Sequence, residues 1–136
     1  MHSIGDLAQK TGVKVPTIRY YEQMGLIELP ERTIGNQRRY DKSGLQRLSF
    51  IRHSRDLGFS IENIRELIEL GKHPNEPCTD VHEIALRNLA DTRRKITRLK
   101  RLEQELKRLS TCDAKLVENC AVFESLADHR FCQSDH

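Results

Sequence analysis

The segment that most constrains this chain is residues 80–110, which contain neither glycine nor proline. Such a run predicts a single helix about 45 Å long. Its apolar residues recur in steps near three and four and form a narrow seam: Val81, Ile84, Leu89, Ile96, Leu99, Leu102, Leu106 and Leu109. Because so thin a seam cannot be buried against a small domain, we expect a coiled coil with a second copy of the chain, although Thr92 interrupts the seam.

The first 25 residues predict two short helices joined by a tight turn. Ile4, Leu7 and Ala8 are spaced for one helical face, and Gly12 suits the turn that ends this helix. Pro16 then falls in the first turn of a second helix, where its missing N–H costs nothing. Two such helices form a helix-turn-helix.

Residues 26–40 predict a hairpin beside these helices, an arrangement known as a wing. Gly35 and Asn36 favour a turn, and residues 37–40 can form the returning strand. A third helix is expected at residues 42–56, with Leu57 as its last apolar residue. Ser60 is expected to cap a fourth helix that ends at Gly71.

Basic residues are concentrated at the start of the chain, although the net charge is only +3. Residues 1–55 carry ten Lys and Arg against five Asp and Glu, which suits a surface that faces phosphates. Hydroxyl, guanidinium and ammonium groups on the second helix and the wing are candidates for contacts with DNA. They are Lys14, Thr17, Arg19, Tyr20, Tyr21, Arg38 and Tyr40. The alternative is that Tyr20 and Tyr21 are half-buried core aromatics and the arginines are only solvated.

Other classes of function are less well supported. The sequence has no HExxH motif, no nucleophile elbow and no glycine-rich phosphate loop, so we do not expect an enzyme. A purely structural coiled-coil adaptor would leave the polar cluster at residues 14–22 unexplained. The opening MHSIGDLAQK has no apolar run suited to a signal peptide or a membrane span, so we expect a cytoplasmic protein without a membrane partner.

Four cysteines lie at positions 78, 112, 120 and 132. In a reducing cytoplasm such thiols are expected to bind metal or sense redox state, while the even number leaves a disulfide framework open. Cys112 and Cys120 flank seven residues that can fold back so that both sulfurs reach one soft or borderline ion. Cys132 lies in a polar tail, where it is at most an auxiliary thiol.

Six strings of residues, in this order and spacing, resemble the MerR family of transcription regulators over residues 1–126. They are IGDLA at 4–8, TIRYYE at 17–22, GNxRxY at 35–40, LxFIR at 48–52, RxLGFS at 55–60 and IREL at 64–67. Gln37 departs from the family pattern, in which an apolar residue is common. The resemblance implies that Arg55 also contacts DNA, together with Thr17, Arg19, Tyr21, Arg38 and Tyr40, and that Tyr20 is partly structural.

The resemblance further implies an antiparallel coiled-coil homodimer that presents two winged helix-turn-helix domains to a palindromic operator. In the family the operator lies within an overlong promoter spacer. The effector-bound dimer bends and untwists this DNA so that RNA polymerase engages both promoter elements.

An antiparallel dimer would bring Cys78 of one chain near Cys112 and Cys120 of the other, giving two three-thiolate sites. Family members that sense divalent ions resemble this chain in having Cys at that position, whereas Cu(I), silver and gold sensors typically have Ser. A third thiolate also suits a divalent ion in charge and coordination number. We therefore expect a divalent soft metal as effector, with Cd2+ or Pb2+ favoured over Zn2+ or Hg2+.

A fourth ligand could be Asp113, Glu118, His82 or water, and the sequence does not choose among them. The expected outcome of metal binding is activation of efflux or detoxification genes. A Cu(I)-responsive or thiol-redox-responsive regulator of the same family is the alternative, although a disulfide between Cys112 and Cys120 would leave Cys78 without a role.

The sequence therefore predicts a mainly α-helical chain, a winged helix-turn-helix domain followed by a long antiparallel coiled-coil helix. The expected boundaries are 1–71 for the DNA-binding domain, 72–79 for a linker, 80–110 for the dimerisation helix, 111–127 for the metal-binding loop and short terminal helix, and 128–136 for a disordered tail.

Overall fold

The structure is a computed structural model, and it describes residues 1–30, 35, 39–111 and 116–131. These residues form α1 (Ile4–Thr11), α2 (Val15–Gln23), α3 (Lys42–Asp56), α4 (Ile61–Gly71), α5 (Thr79–Ser110) and α6 (Ala121–Ala127). Single 3-10 turns lie at Val117–Asn119 and His129–Phe131. The expected mainly helical fold is confirmed, as is the uninterrupted long helix.

The helix boundaries follow from capping by short polar side chains. Ser3 accepts the backbone N–H of Asp6, and the Asp6 carboxylate accepts the backbone N–H of Ser3, both at 3.1 Å. The hydrogen bonds from the Ser3 backbone and hydroxyl hold the pKa of Asp6 below its usual value. Asp41 and Ser60 cap α3 and α4 in the same manner, each accepting the N–H of the third helical residue at 3.0 Å. The predicted helix starts are thus explained by satisfied backbone donors.

Contacts divide the chain into two compact units, Met1–Ile84 and Ala85–His136. In the first unit α1 packs against α2 and α3, and α3 packs against α4. One apolar cluster lies between these helices: Leu7, Val13, Ile18, Tyr21, Leu26, Ile27, Tyr40, Leu48, Ile51 and Ile64. Leu57 does not belong to it. This side chain is 70% exposed, because α3 ends at Asp56 and the chain turns away toward α4.

The tip of the predicted wing, residues 31–34 and 36–38, lies outside the described residues. At its base, His2 and Tyr40 form an antiparallel bridge, with both N···O distances at 2.7 Å. This pair is an isolated bridge, and the part of the chain that the structure describes contains no longer strand.

In the second unit a polar contact joins α6 to the end of α5. Leu109 and Glu105 of α5 are buried, as is Ser125 of α6. Arg108 forms an ion pair with Glu105, and its Nη2 donates to Ser125 Oγ at 3.4 Å. The short terminal helix is α6, and Ser125 joins it to Arg108 of α5.

Residues 128–131 belong to the predicted tail and include a 3-10 turn. Arg130 donates to the Asp128 carboxylate through Nε at 2.8 Å and through its backbone N–H at 3.0 Å, forming a 3-10 turn. These hydrogen bonds, first of all the one from the guanidinium, lower the pKa of Asp128. Residues 132–136 lie outside the described residues. No described helix is both long enough and apolar enough to cross a membrane.

A polar contact links α2 to the residue that follows the wing. The Tyr40 hydroxyl donates to the Glu22 carboxylate, and the two side chains are 2% and 8% exposed. A carboxylate in such a place depends on its hydrogen bonds, because it has lost most of its hydration.

We predict that Tyr40→Phe lowers the free energy of unfolding by about 1–3 kcal/mol, because Glu22 loses this donor while remaining buried. Urea unfolding followed by circular dichroism measures the change. Tyr20→Phe is the matched control, since Tyr20 lies on the surface. Equal effects of the two substitutions would contradict a stabilising role for the buried contact.

Candidate nucleic-acid interface and metal centre

The exposed side of α2 carries the polar residues predicted to contact DNA. Ile18 and Tyr21 point into the core, so Arg19 and Tyr20 lie on the opposite side of the helix. Tyr20 is 47% exposed, and the Arg19 guanidinium is exposed without a hydrogen bond or ion pair to any other described residue. An exposed guanidinium beside an exposed phenol is well suited to bind phosphates or base edges.

Lys14 and Thr17 flank this surface at the start of α2. Lys14 is the exposed N-cap residue, and Thr17 is half-buried in the first turn. Arg55, near the end of α3, is exposed, and its Nη1 donates to the Phe59 carbonyl at 2.9 Å. Arg38 lies outside the described residues.

Tyr21 and Tyr40, which are also predicted to contact DNA, are buried. They are 7% and 2% exposed, and both belong to the apolar cluster of the first unit. Most of each side chain is therefore packed in the core, which supports a structural role, and their contact with DNA stays a prediction. The alternative that Tyr20 and Tyr21 are core aromatics therefore describes Tyr21 better than it describes Tyr20.

Three arginines that sequence reasoning missed bind backbone carbonyls of the helix-turn-helix. Arg47, Arg52 and Arg65 reach carbonyls that lie 21 or 41 residues away in the chain. No local pattern marks such contacts, because they exist only after α3 and α4 have packed against α1 and α2.

Cys78 and Cys120 are free thiols that directly precede α5 and α6. Cys78 is exposed, and its carbonyl accepts the N–H of His82 at 2.9 Å. Cys120 is half-buried; its N–H donates to Val117, and its carbonyl accepts the N–H of Glu124, both at 3.1 Å. Backbone hydrogen bonds thus fix both residues at the start of a helix.

The donor chemistry fits a soft metal, since sulfur is the ligand that such ions prefer. Two of the suggested fourth ligands are exposed and close in sequence to a thiol: His82 lies one turn after Cys78, and Glu118 lies in the turn before Cys120. Cys112, Asp113 and Cys132 lie outside the described residues. Among the described side chains of one chain, no group of three His, Cys, Asp or Glu is arranged to hold a metal ion.

Two family models match the chain. The model described as "MerR HTH family regulatory protein" covers residues 2–70, and the model described as "MerR, DNA binding" covers residues 45–109. Together they span the helix-turn-helix, both packing helices and almost the whole of α5.

Relatives match over nearly the full length. The mercuric resistance operon regulatory protein of Bacillus cereus is 38% identical over 125 residues, which are 90% of this chain and 95% of the relative. The heavy metal-dependent transcription regulator 2 of Rhizobium meliloti is 36% identical over 127 residues, 93% and 86% of the two chains. The crystal structure of the transcription regulator PbrR691 from Ralstonia metallidurans, in complex with lead(II), superposes with a TM-score of 0.76. It is 38% identical and covers 93% of this chain and 99% of that one.

These matches agree with the geometry of the first unit, in which a helix-turn-helix packs on two further helices and presents a basic face. The function is DNA binding in transcription regulation rather than catalysis. The chain belongs to the MerR family of transcription regulators.

Proposed function

We propose that this chain is a metal-responsive transcription regulator that binds a palindromic promoter operator as a homodimer. On binding a divalent soft metal, with Cd2+ or Pb2+ favoured over Zn2+ or Hg2+, the dimer distorts the promoter DNA. RNA polymerase then engages both promoter elements and transcribes efflux or detoxification genes.

The observation that carries the proposal is the exposed, free thiol of Cys78 directly before α5. It occurs in a chain 38% identical, over 93% of its length, to a regulator whose structure contains lead(II). Cys78 would bind the ion together with Cys112 and Cys120 of the partner subunit. Thiolate ligands give such an ion the soft, negatively charged environment that it prefers.

Dimerisation is supported by the apolar seam of α5. Leu89, Ile96, Leu99 and Leu106 are all more than two-fifths exposed in the single chain. Removing such side chains from water stabilises an association by roughly 25 cal/mol per Å² of apolar surface buried. A second α5 with the same seam can cover all of them along the helix.

We predict that Leu99→Asp converts the dimer to monomer, because it places a charge at a seam position that is 62% exposed in the single chain. Sedimentation equilibrium measures the change. Gln104→Asp introduces the same charge at an exposed position outside the seam and is expected to leave the dimer intact. A dimer that tolerates both substitutions equally would contradict the proposed interface.

DNA binding by α2 is tested at Arg19, with a duplex that the wild-type protein selects from a random library. We predict that Arg19→Ala weakens binding to this duplex about tenfold and lowers the slope of log K against log salt concentration by about one, since one cation fewer displaces counterions. Arg98→Ala, at an exposed position of α5, should change neither quantity. An unchanged affinity in Arg19→Ala would contradict the assignment of this face.

Metal binding is tested at Cys78 with reduced protein under anaerobic conditions. Titration with Cd2+, Pb2+, Hg2+, Zn2+ and Cu(I), followed by thiolate charge-transfer absorption, should show about one divalent ion per chain. We predict that Cys78→Ser abolishes tight divalent binding, because the site loses one of three thiolates. Cys132→Ser removes one thiol from the tail and should have no effect. Tight Cu(I) binding that is unaffected by Cys78→Ser would instead support the two-thiolate, monovalent alternative.

A further inference from the structure

The guanidinium of Arg52 binds the end of α1. Its Nη1 donates to the carbonyl of Thr11, the last residue of that helix, at 2.5 Å, and its Nε lies 3.4 Å from the carboxylate of Asp56. The last carbonyls of a helix have no partner within the helix and form the negative end of its dipole. A cation held in this place therefore satisfies an acceptor and complements the dipole.

Gly12, the residue that ends α1, is matched to this guanidinium. Its φ of 74° favours glycine, and a Cβ built on it would collide with the Arg52 guanidinium. Arg52 thus occupies the space that any other residue at position 12 would need. The turn of the helix-turn-helix and α3 fit each other at this point.

Two more arginines bind the end of α2 and the segment that follows it. Arg65 of α4 donates from Nη2 to the carbonyl of Met24, the C-cap residue of α2, at 2.8 Å. Arg47 of α3 donates from Nη1 to the carbonyl of Leu26 at 3.3 Å. At the carboxyl end of each helix of the helix-turn-helix, a carbonyl therefore accepts a hydrogen bond from an arginine of α3 or α4.

Two kinds of basic residue can thus be distinguished in the first unit. The side chains of Arg19 and Lys14 are exposed and form no hydrogen bond or ion pair with other described residues, which leaves their charges for an external anion. The guanidinium groups of Arg47, Arg52 and Arg65 instead donate to backbone carbonyls of the protein itself. A count of Lys and Arg in the sequence does not distinguish these two kinds.

We infer that Arg47, Arg52 and Arg65 are positioning residues for operator recognition. They hold the carboxyl ends of α1 and α2 on α3 and α4, and so fix the direction in which α2 presents Arg19 and Tyr20. They act through the geometry of the reading face and not by neutralising phosphates. This inference rests on DNA binding by the helix-turn-helix and is independent of the proposed metal site.

Neutralising a phosphate and orienting the reading helix have different effects on DNA affinity and on sequence preference. A side chain that neutralises a phosphate supports binding to every duplex, and its loss lowers the salt dependence. A residue that orients the reading helix matters only where side chains must meet base edges, so its loss reduces the preference for the selected sequence. The ratio of specific to non-specific affinity therefore separates them.

The experiment uses the full-length, reduced, metal-free chain and compares the selected duplex with a random-sequence duplex of equal length over a range of salt concentrations. Arg52→Ala is expected to weaken binding to the selected duplex about tenfold, with less than twofold loss on the random duplex and an unchanged salt slope. Arg52→Lys should behave similarly, because an ammonium keeps the charge but lacks the planar fork that reaches both Thr11 and Asp56.

A second variant keeps every charge and tests the same contact. Gly12→Ala should displace the Arg52 guanidinium and lower the thermal midpoint more than Gly25→Ala, which has a matching φ of 75° but open space around the added methyl group. In an Arg52→Ala background the two glycine substitutions should have equal effects, because the collision is gone.

Equal weakening on both duplexes with a salt slope reduced by about one, as expected for Arg19→Ala, would overturn the inference and make Arg52 a phosphate contact. Unchanged binding to both duplexes would overturn it as well, as would equal effects of Gly12→Ala and Gly25→Ala in the wild-type background. A wild-type chain that selects no duplex would overturn the DNA-binding function itself, which distinguishes that failure from a failure of the inference alone.

Discussion

Burial of the apolar faces of α1, α2, α3 and α4 against one another is the interaction on which the DNA-binding unit depends. Helices of eight or nine residues, such as α1 and α2, are marginal in water by themselves. Packing therefore decides how they are held and which side of α2 faces outward. Because Ile18 and Tyr21 enter the cluster, Arg19 and Tyr20 must lie on the exposed side.

Polar contacts around this cluster also help to hold α1 and α2 in place. The Tyr40 hydroxyl on Glu22 joins α2 to the base of the wing, and the bridge between His2 and Tyr40 joins that base to the start of the chain. The arginines of α3 and α4 satisfy carbonyls at the ends of α1 and α2. The contact between Tyr40 and Glu22 is buried, and an unsatisfied acceptor in that position would be costly.

The long helix differs from α1–α4, because most side chains of its apolar seam are exposed in the described part of the chain. Its continuity follows from the absence of glycine and proline, and its exposed leucines lead to the proposal of a second copy. The thiols of Cys78 and Cys120 stand at the starts of α5 and α6. A metal shared between two chains would link those helix ends, which is the basis for proposing that it controls the shape of the dimer.

The sequence by itself determined the helices, because caps such as Ser3, Asp41 and Ser60, breakers such as Gly12, and apolar spacing act within a few residues of one another. It also determined the family, through strings of residues kept in order and spacing. Only the tertiary structure decided that Tyr21 and Tyr40 are core residues and that Tyr20 is exposed. Only the tertiary structure assigned Arg47, Arg52 and Arg65 to backbone carbonyls. The physical reason is that burial and long-range hydrogen bonds depend on which helices meet, and a one-dimensional pattern of polar and apolar residues does not contain that information.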